Sequence, residues 1–398
     1  MPDTFQQMLK DIQSFLIEEI YPLEEQLEAP FFSRLEPLLE KKRTIVKTKG
    51  WWCPQMPESY GGIGLNLIQL AQLSEILGTT PLGHYVFNCQ APDAGNMELL
   101  IEHGSDWQRK TFLEPLIAGK IRSCFSMTEP QNAGSNPTLM STRAQLDNEW
   151  YTINGHKWFT SSADGASFAI VMALSQPDHP NPYQRASLFL VSTSNQGFEH
   201  KRNIPVMGSA GSGYISHAEI IYKNCKVPIA HRIGGDGAGF QLAQQRLGPG
   251  RIHHCMRWIG ICERALDLMC RRAASRMLKT DKKLGDMQTI QNWIAESRVS
   301  IDACRLLVLD TAAKIESEGA KAAKVAISSI KFYVAGIMSQ ILDLAIQTHG
   351  ALGVTDDLVL SFWYRHERGA LIYDGPDEVH KSVLARNILK NYKDIAAS

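Results

Sequence analysis

The clearest candidate for acid–base chemistry is Asp374, which lies in the stretch "LIYDGPDEVH" at residues 371–380. Its carboxylate follows an apolar run, and a carboxylate in dry surroundings can act as a general base near neutral pH. The stretch also has an ordinary structural interpretation. Asp374 or Gly375 could cap a helix that has Pro376 in its first turn and acidic residues near its positive end. These local features favour the base and the cap about equally.

Two further segments could hold a flat, polar-edged cofactor. "WFTS" at residues 158–161 offers two aromatic rings followed by two hydroxyls, which suits stacking on a ring and hydrogen bonding at its edge. "MTEPQNAGSNPT" at residues 127–138 is rich in small polar residues, whose backbone N–H groups could face an anionic or polar ligand. Aromatic core packing and an ordinary surface loop remain the alternatives.

Arg251 is a candidate for positioning a substrate or a carboxylate. It follows Gly248-Pro-Gly at the predicted start of a long helix, where the helix dipole disfavours a cation. The alternative is a solvated side chain, as for Arg246 and Arg257. The segment "QTHGALG" at residues 347–353 ends a helix with two glycines, which a C-cap explains by itself.

Composition narrows the classes of partner. The chain has 398 residues and a formal net charge of zero, so nucleic acid is not favoured as a ligand. Its eight cysteines are scattered without a Cys-x-x-Cys motif, so neither a metal site nor a disulfide framework is predicted. The N-terminus resembles neither a signal nor a transit peptide, and no apolar run approaches about 18 residues. We therefore expect no membrane span and a bacterial cytoplasmic location, with mitochondrial and peroxisomal locations left open.

The elements that position these residues are predicted to follow the order helix, strand, helix, in three domains at residues 1–122, 123–235 and 236–398. The first shows helical spacing of apolar residues. In the second, "FAIVMAL" and "ASLFLVST" indicate buried strands, and Asn154-Gly155 within "EWYTINGHKWFTSS" predicts a hairpin turn. In the third, a stripe from Ile252 to Met269 and the stretches 286–318, 321–349 and 377–391 predict a bundle of long helices.

Taken in order, these motifs resemble the acyl-CoA dehydrogenase family of flavoproteins over essentially the whole chain. "MPESYGGIGL", "GSDWQRKTFLEPLIAGK", "MTEPQNAGS" and "INGHKWFTSSA" are similar to family segments, and "NCKVP", "GAGF", "ERALD", "QTHGALGV" and "YDG…LAR" follow in the expected places. The resemblance implies an α+β fold with an N-terminal helical domain, a central β-barrel and a C-terminal four-helix bundle. It also implies homodimers or homotetramers that bind FAD across a subunit contact.

The resemblance assigns roles to individual residues. Ser135 would touch the CoA moiety, and Gly250 and Arg251 would lie on the substrate side. From a partner subunit, Arg276 and the turn from Gln347 to Gly350 would hold the pyrophosphate and adenosine side of FAD. The residues implied to line the flavin are Phe125, Met127, Thr128, Trp158, Thr160 and Ser161. Pro376 and Glu378 are implied as further FAD-binding residues.

Asp374 stands where common family members carry a glutamate base. In that role it would remove the pro-R α-proton of a CoA thioester while the β-hydrogen leaves as hydride to flavin N5. Some members place the base just before the position of Arg251, but here that residue is Gly250, which cannot serve. Electron-transferring flavoprotein is the implied electron acceptor.

The motif "DGPDEVH" also resembles a subgroup that is fused to kinase-like domains in animals and occurs alone in bacteria. That subgroup handles acyl-CoAs, including 4-hydroxyacyl-CoAs through phosphorylated forms. Two alternatives remain: a flavin oxidase of the same fold, similar to nitroalkane oxidase, and a non-catalytic FAD-binding homologue. Ser135 and the Gly248-to-Arg251 segment favour the CoA thioester.

Overall fold

The computed structural model of the chain describes residues 2–27 and 32–392. Contacts divide the chain into two compact units. The helical unit comprises residues 1–27, 65–86 and 250–398, and the sheet unit comprises residues 28–64 and 87–249. The division into three sequential domains stays a prediction.

Helices dominate the first 120 residues, as the sequence predicts. They are α1 (Pro2–Phe15), α2 (Phe32–Thr48), α3 (Leu67–Leu77), α4 (Gly83–Val86), α5 (Asp93–His103), α6 (Asp106–Gln108) and α7 (Glu114–Ile117).

Strands follow the N-terminal helices. They are β1 (Ser123–Ser126), β2 (Arg143–Asp147), β3 (Trp150–Ser161), β4 (Phe168–Leu174), β5 (Ala186–Ser192), β6 (Phe198–Asn203), β7 (His217–Pro228) and β8 (Arg232–Ile233). The predicted strands "FAIVMAL" and "ASLFLVST" are β4 and β5, whose side chains are almost entirely buried. The eight strands form one mixed sheet in the order β6-β7-β3-β2-β4-β5-β8, with β1 paired parallel to β4.

The predicted hairpin at Asn154-Gly155 is wrong, because β3 runs through both residues. The tight turn lies earlier, at Asn148-Glu149, where Asp147 pairs with Trp150 and Asn148 adopts a φ of +54°. Gly155 serves close packing instead: a Cβ there would lie 2.2 Å from the Thr142 hydroxyl. A glycine inside a strand can mark such a close approach as well as a turn.

Long helices return after β8 and confirm the predicted bundle elements. They are α8 (Gly239–Ser275), α9 (Gln288–Glu318), α10 (Lys324–His349), α11 (Val359–Glu367) and α12 (Asp377–Leu389), with the short strands β9 (Met277–Lys279) and β10 (Lys282–Lys283) between α8 and α9. The predicted stripe of α8 from Ile252 to Met269 is buried. Helix α11 and the β9–β10 pair were not predicted.

Helix α8 begins at Gly239 rather than after Gly248-Pro-Gly, so Arg251 lies inside the helix and not at its start. Glycine and proline are the poorest residues in a helix interior, which is why the sequence pattern suggested a break. Leu242 and Ala243 are buried before this segment, and tertiary packing overrides local propensity.

The segment Lys324–Val354, which contains α10, is long and apolar enough to span a membrane by length and composition alone. The expectation that no apolar stretch reaches this length is therefore wrong. Half of the apolar window is buried inside the protein, and α10 packs on α9, α11 and α12 and carries a buried lysine, Lys331. The core helix of a bundle shows the same pattern.

Candidate active site

Asp374 lies in a left-handed turn directly before α12. Its φ is +46° and that of Gly375 is +84°. The N-cap of α12 is Pro376, and no side chain provides a capping hydrogen bond. The interpretation of Asp374 or Gly375 as the helix cap is therefore wrong. Gly375 is required here, because a Cβ would lie 2.8 Å from Nε2 of His380.

The backbone carbonyl of Asp374 is held from two sides. Arg251 donates from Nε at 3.1 Å, and His380 donates from Nε2 at 3.2 Å. The His380 ring must therefore carry its proton on Nε2. Burial lowers the pKa of His380, although this hydrogen bond opposes the shift, so the ring is neutral near pH 7. The two donors fix the turn through the carbonyl and form no hydrogen bond to the carboxylate, although the Arg251 guanidinium is close enough to interact with that carboxylate electrostatically.

The carboxylate of Asp374 is far less constrained than its backbone. Its Oδ2 lies 3.5 Å from Nε2 of His254, the only ion-pair partner of Asp374 among residues 2–27 and 32–392. A Cβ built on Gly250 would lie 3.6 Å from the same oxygen. The side chain of Asp374 is 19% exposed. The carboxylate is thus mostly covered, and no lysine or arginine of the described structure lies within ion-pair distance of it.

The backbone N–H of Asp374 is also available. No acceptor for it exists among the described residues. A free donor beside a carboxylate can polarise a carbonyl of a bound ligand.

A second carboxylate, Glu367, lies behind this turn and is fully engaged. Arg257 donates to both oxygens, at 2.5 and 2.9 Å, and Trp258 and Tyr373 donate to Oε2 at 3.0 and 3.2 Å. Burial alone would raise the pKa of Glu367, but the Arg257 guanidinium outweighs it and holds the pKa below its usual range. This network fixes the rings of Trp258 and Tyr373, against which His254 packs.

Another buried pair holds the start of α12. Lys331 of α10 is fully buried and donates to Asp377 at 2.9 Å. Asp377 is the first residue of α12. The turn at Asp374 is therefore anchored at both its carbonyl and the helix that follows it.

The sheet unit places six of the predicted FAD-binding residues, Phe125, Met127, Thr128, Trp158, Thr160 and Ser161, in or next to β1 and the end of β3. Thr128 Oγ1 donates to the Trp158 carbonyl at 2.8 Å, and the Trp158 N–H donates to the Thr128 carbonyl at 3.1 Å. The Ser126 and Thr160 hydroxyls lie 3.1 Å apart. A bulge between Lys157 and Thr160, with Phe159 at a φ of +48°, interrupts the pairing of β3 with β7 at Trp158. Such bulges often re-aim a side chain next to a site.

Neighbouring residues hold this cluster. Ser161 shares a 2.8 Å hydrogen bond with His217, and the Arg246 guanidinium lies 4.1 Å from the Phe125 ring centroid. Arg246 is therefore not the solvated side chain that the sequence suggested, and neither is Arg257. A partly exposed indole beside several hydroxyls fits the flat, polar-edged ring system of FAD.

A buried ion pair between Glu129 and Lys157 supports the same cluster. The Lys157 ammonium donates to Glu129 at 2.9 Å and to the Met127 carbonyl at 2.7 Å. Glu129 also accepts the backbone N–H groups of Ser141 and Thr142. Burial would raise the pKa of Glu129, but Lys157 and these hydrogen bonds lower it to about 2.

The remaining predicted residues lie elsewhere in their units. Ser135 is on an exposed loop of the sheet unit, and Glu378 is exposed on α12. Arg276 follows the end of α8, and Gln347 and Gly350 are exposed at the end of α10. Arg272 donates to the His349 carbonyl at 3.4 Å, so the ends of α8 and α10 meet. Arg276 and the Gln347-to-Gly350 turn thus share one end of the bundle.

Sequence reasoning missed His254, Glu367 and Lys331. Each is a polar residue on a mostly apolar helix face, and its partner lies 46 to 120 positions away in the chain. The only signal was polar residues at buried helical positions, which do not reveal their partners. Among the described residues, no group of three or more His, Cys, Asp or Glu side chains could hold a metal ion.

Comparison with known proteins identifies the family. Three family models match in order: the acyl-CoA dehydrogenase N-terminal domain at residues 2–120, the middle domain at 124–225 and the C-terminal domain at 237–389. A solved structure assigned as an acyl-CoA dehydrogenase from Mycobacterium abscessus is 35% identical, with a TM-score of 0.92 and coverage of 98% of both chains. These matches confirm the predicted α+β fold.

Proteins with similar sequences carry the same family name. FadE2 of Mycobacterium tuberculosis, named as an acyl-CoA dehydrogenase, is 40% identical over 91% of this chain and 88% of its own. Acyl-CoA dehydrogenase family member 11 of Gallus gallus is 37% identical over 98% of this chain and 51% of its own length. The chain thus spans about half the length of the family member 11 proteins it matches. It belongs to the acyl-CoA dehydrogenase family, a family of oxidoreductases.

Proposed function

We propose that this protein is an FAD-dependent acyl-CoA dehydrogenase that converts an acyl-CoA thioester to a trans-2-enoyl-CoA, with Asp374 as the α-proton base. The observation that carries the proposal is the contrast within the Asp374 turn. Its backbone is anchored by Arg251 and His380, whereas its carboxylate has no lysine or arginine partner in the described structure. A base needs a fixed position and an available oxygen.

The residues of the turn have complementary roles in this proposal. Asp374 receives the pro-R α-proton on its carboxylate. Its backbone N–H donates to the thioester carbonyl and so makes the α-carbon more acidic. Gly250 leaves room beside the carboxylate for the substrate, and Arg251 holds the turn in place.

The FAD-binding residues follow from the family resemblance and from the cluster in the sheet unit. Bound FAD would supply the hydride acceptor for the β-hydrogen of the substrate. The resemblance also supports Ser135 as a CoA contact. The residues proposed to hold FAD are Phe125, Met127, Thr128, Trp158, Thr160, Ser161, Pro376 and Glu378, with Arg276, Gln347 and Gly350 supplied by a partner subunit.

The finer assignment is to the subgroup with "DGPDEVH" at the base position, whose substrates include 4-hydroxyacyl-CoAs. The match to family member 11 proteins supports this placement. We further propose a homodimer or homotetramer, electron-transferring flavoprotein as the electron acceptor and a bacterial cytoplasmic location.

Anaerobic titration of the purified protein with acyl-CoAs of increasing chain length tests the proposal. The oxidised flavin absorbance should disappear with wild type. With Asp374→Asn the rate of bleaching should fall by about 100-fold or more, the usual contribution of a general base. An equal rate in both proteins would contradict the assignment of Asp374.

Two alternatives have distinct outcomes in the same apparatus. Oxygen consumption with a nitroalkane, without bleaching by acyl-CoA, would identify an oxidase. A yellow protein that neither substrate reduces would identify a non-catalytic FAD-binding homologue. The proposal that 4-hydroxyacyl-CoAs are substrates is tested by comparing the rate of flavin bleaching by an acyl-CoA with the rates for its 4-hydroxy and 4-phospho derivatives.

A further inference from the structure

His254, one helical turn after Gly250 on α8, lies beside the Asp374 carboxylate. Its Nε2 lies 3.5 Å from Oδ2 of Asp374. That distance is longer than a formed N–H···O hydrogen bond. Catalytic hydrogen bonds are often long before the substrate binds, and they shorten in the complex.

The ring of His254 is held in place by its surroundings. It stacks on Trp258 with an interplanar angle of 19° and lies 4.9 Å from the Tyr373 ring. Trp258 and Tyr373 are in turn fixed by their hydrogen bonds to Glu367. His254 therefore presents Nε2 to Asp374 in one direction, with little freedom to turn away.

We propose that His254 is a positioning residue that donates a hydrogen bond from Nε2 to Oδ2 of Asp374, and so leaves Oδ1 as the oxygen that receives the α-proton. This inference rests on the proposed role of Asp374. In the step, the α C–H bond breaks and an O–H bond forms on Oδ1. The electron pair of the α C–H bond becomes the π bond of the new Cα=Cβ double bond. The β C–H bond breaks, and its electron pair leaves with the β-hydrogen as hydride, for which bound FAD would be the acceptor. His254 keeps its own proton.

The charge state of His254 supports this role. Burial lowers the pKa of His254 to about 4, although the Asp374 carboxylate opposes the shift. The ring is therefore neutral near pH 7 and can direct the carboxylate without pairing with it as a cation would. The charged or titratable groups that face His254 are Asp374, Arg257, Glu367 and His253, together with His84 of α4 and Tyr373.

The test compares His254→Leu, which removes the donor, with His254→Gln, which keeps an N–H donor at similar reach. Rapid anaerobic mixing with acyl-CoA would measure the rate of flavin reduction from pH 6 to 10. For His254→Leu we expect a rate about 10- to 100-fold lower near pH 7, the usual weight of a hydrogen bond to a charged group. The pH profile of the rate should also move toward higher pH, because a donor that favours the charged form of the base is lost. His254→Gln should recover most of the rate.

Two results would overturn the inference. One is a wild-type rate and pH profile in His254→Leu. The other is an equal loss in both variants with an unchanged pH profile, which would indicate a merely structural role. FAD content and the visible spectrum should be the same in all three proteins.

A second measurement separates this inference from the proposed function. If no acyl-CoA reduces the wild-type flavin, the proposed dehydrogenation fails, but the contact can still be tested by NMR of histidine-labelled protein. In Asp374→Asn the titration of His254 should move to lower pH, because the neighbouring negative charge is gone. An unchanged titration would refute the contact itself.

Discussion

Glu367 and Asp374, two carboxylates of the helical unit, are seven residues apart in the chain and have opposite surroundings. Glu367 receives four hydrogen bonds from Arg257, Trp258 and Tyr373. Asp374 receives none on its carboxylate among the described residues, although its carbonyl receives two. A carboxylate that accepts hydrogen bonds from four donors on its two oxygens is a structural element, whereas one with a fixed backbone and no bound donor can accept a proton.

We expect the largest effect on stability from a substitution of Glu367. Glu367→Gln removes the negative charge and leaves the buried Arg257 guanidinium without its partner. Loss of one member of a buried ion pair costs about 3–5 kcal/mol of the free energy of unfolding. Chemical denaturation of the wild type and the variant would measure the difference.

Asp374→Asn is the matched control, because it makes the same charge change in the neighbouring turn. It should change the free energy of unfolding by about 1 kcal/mol or less, since a polar contact without a direct charged donor contributes little. Equal destabilisation by the two substitutions would show that the two carboxylates are not distinct in kind.

The surroundings of Asp374 and Glu367 should also differ in how they respond to pH, because His254 lies beside Asp374. His254 has a pKa of about 4 in the folded protein against an ordinary value of 6.5, chiefly because it is buried. The unfolded chain therefore binds more protons between these values. The contribution of the neutral, buried His254 to the free energy of unfolding is therefore fully present above about pH 6.5, and it is lost as the pH falls toward 4.

Removing His254 should flatten this pH dependence. Between pH 7 and pH 4 the wild type should lose up to about 3 kcal/mol more stability than His254→Leu, the equivalent of its pKa shift. Glu367, whose pKa lies below its usual range, keeps its charge over most of this interval. Parallel stability curves for the two proteins would rule out the predicted burial of His254.

The smallest effect is expected at Gly250, which lies beside the Asp374 carboxylate. Gly250→Ala adds a methyl group 3.6 Å from Oδ2, an ordinary contact distance, inside α8. The helix should gain about 0.5–1 kcal/mol. We nevertheless expect slower flavin reduction, because the methyl group occupies space beside the base.

Gly336 of α10 offers the control for this substitution. A Cβ at Gly336 meets no atom within 4 Å. Gly336→Ala should therefore give a similar gain in unfolding free energy with an unchanged rate of flavin reduction. If the two alanine variants have the same rate, the space at Gly250 does not matter for the base.

Local patterns in the sequence predicted much of the fold. The apolar runs of β4 and β5 and the apolar stripe of α8 are decided by local periodicity, and the structure confirms them. The wrong predictions concern segments that contain glycine or proline. Gly155 permits close packing inside β3, and Gly248-Pro-Gly continues within α8. In both places tertiary contacts decide the backbone, so the local residue types mislead.

The candidate site was predictable only in part. Asp374 stood out by its context, but its environment did not. The contacts of Asp374 with Arg251 and His254, and of Glu367 with Arg257, join residues more than 100 positions apart. One sequence holds no signal for which distant helix faces meet. The local sequence features therefore favoured the general base and the helix cap equally as roles for Asp374, and the geometry of the turn then excluded the cap.

The left-handed backbone at Asp374 also limits how the acid could be exchanged by protein engineering. Aspartate and asparagine are enriched at positive φ among residues other than glycine, because their short side chains tolerate it. Glutamate lacks this advantage. Grafting the longer acid of other family members onto this position would thus strain the turn as well as lengthen the side chain. Acid and turn form one unit, which a designer would have to transplant together.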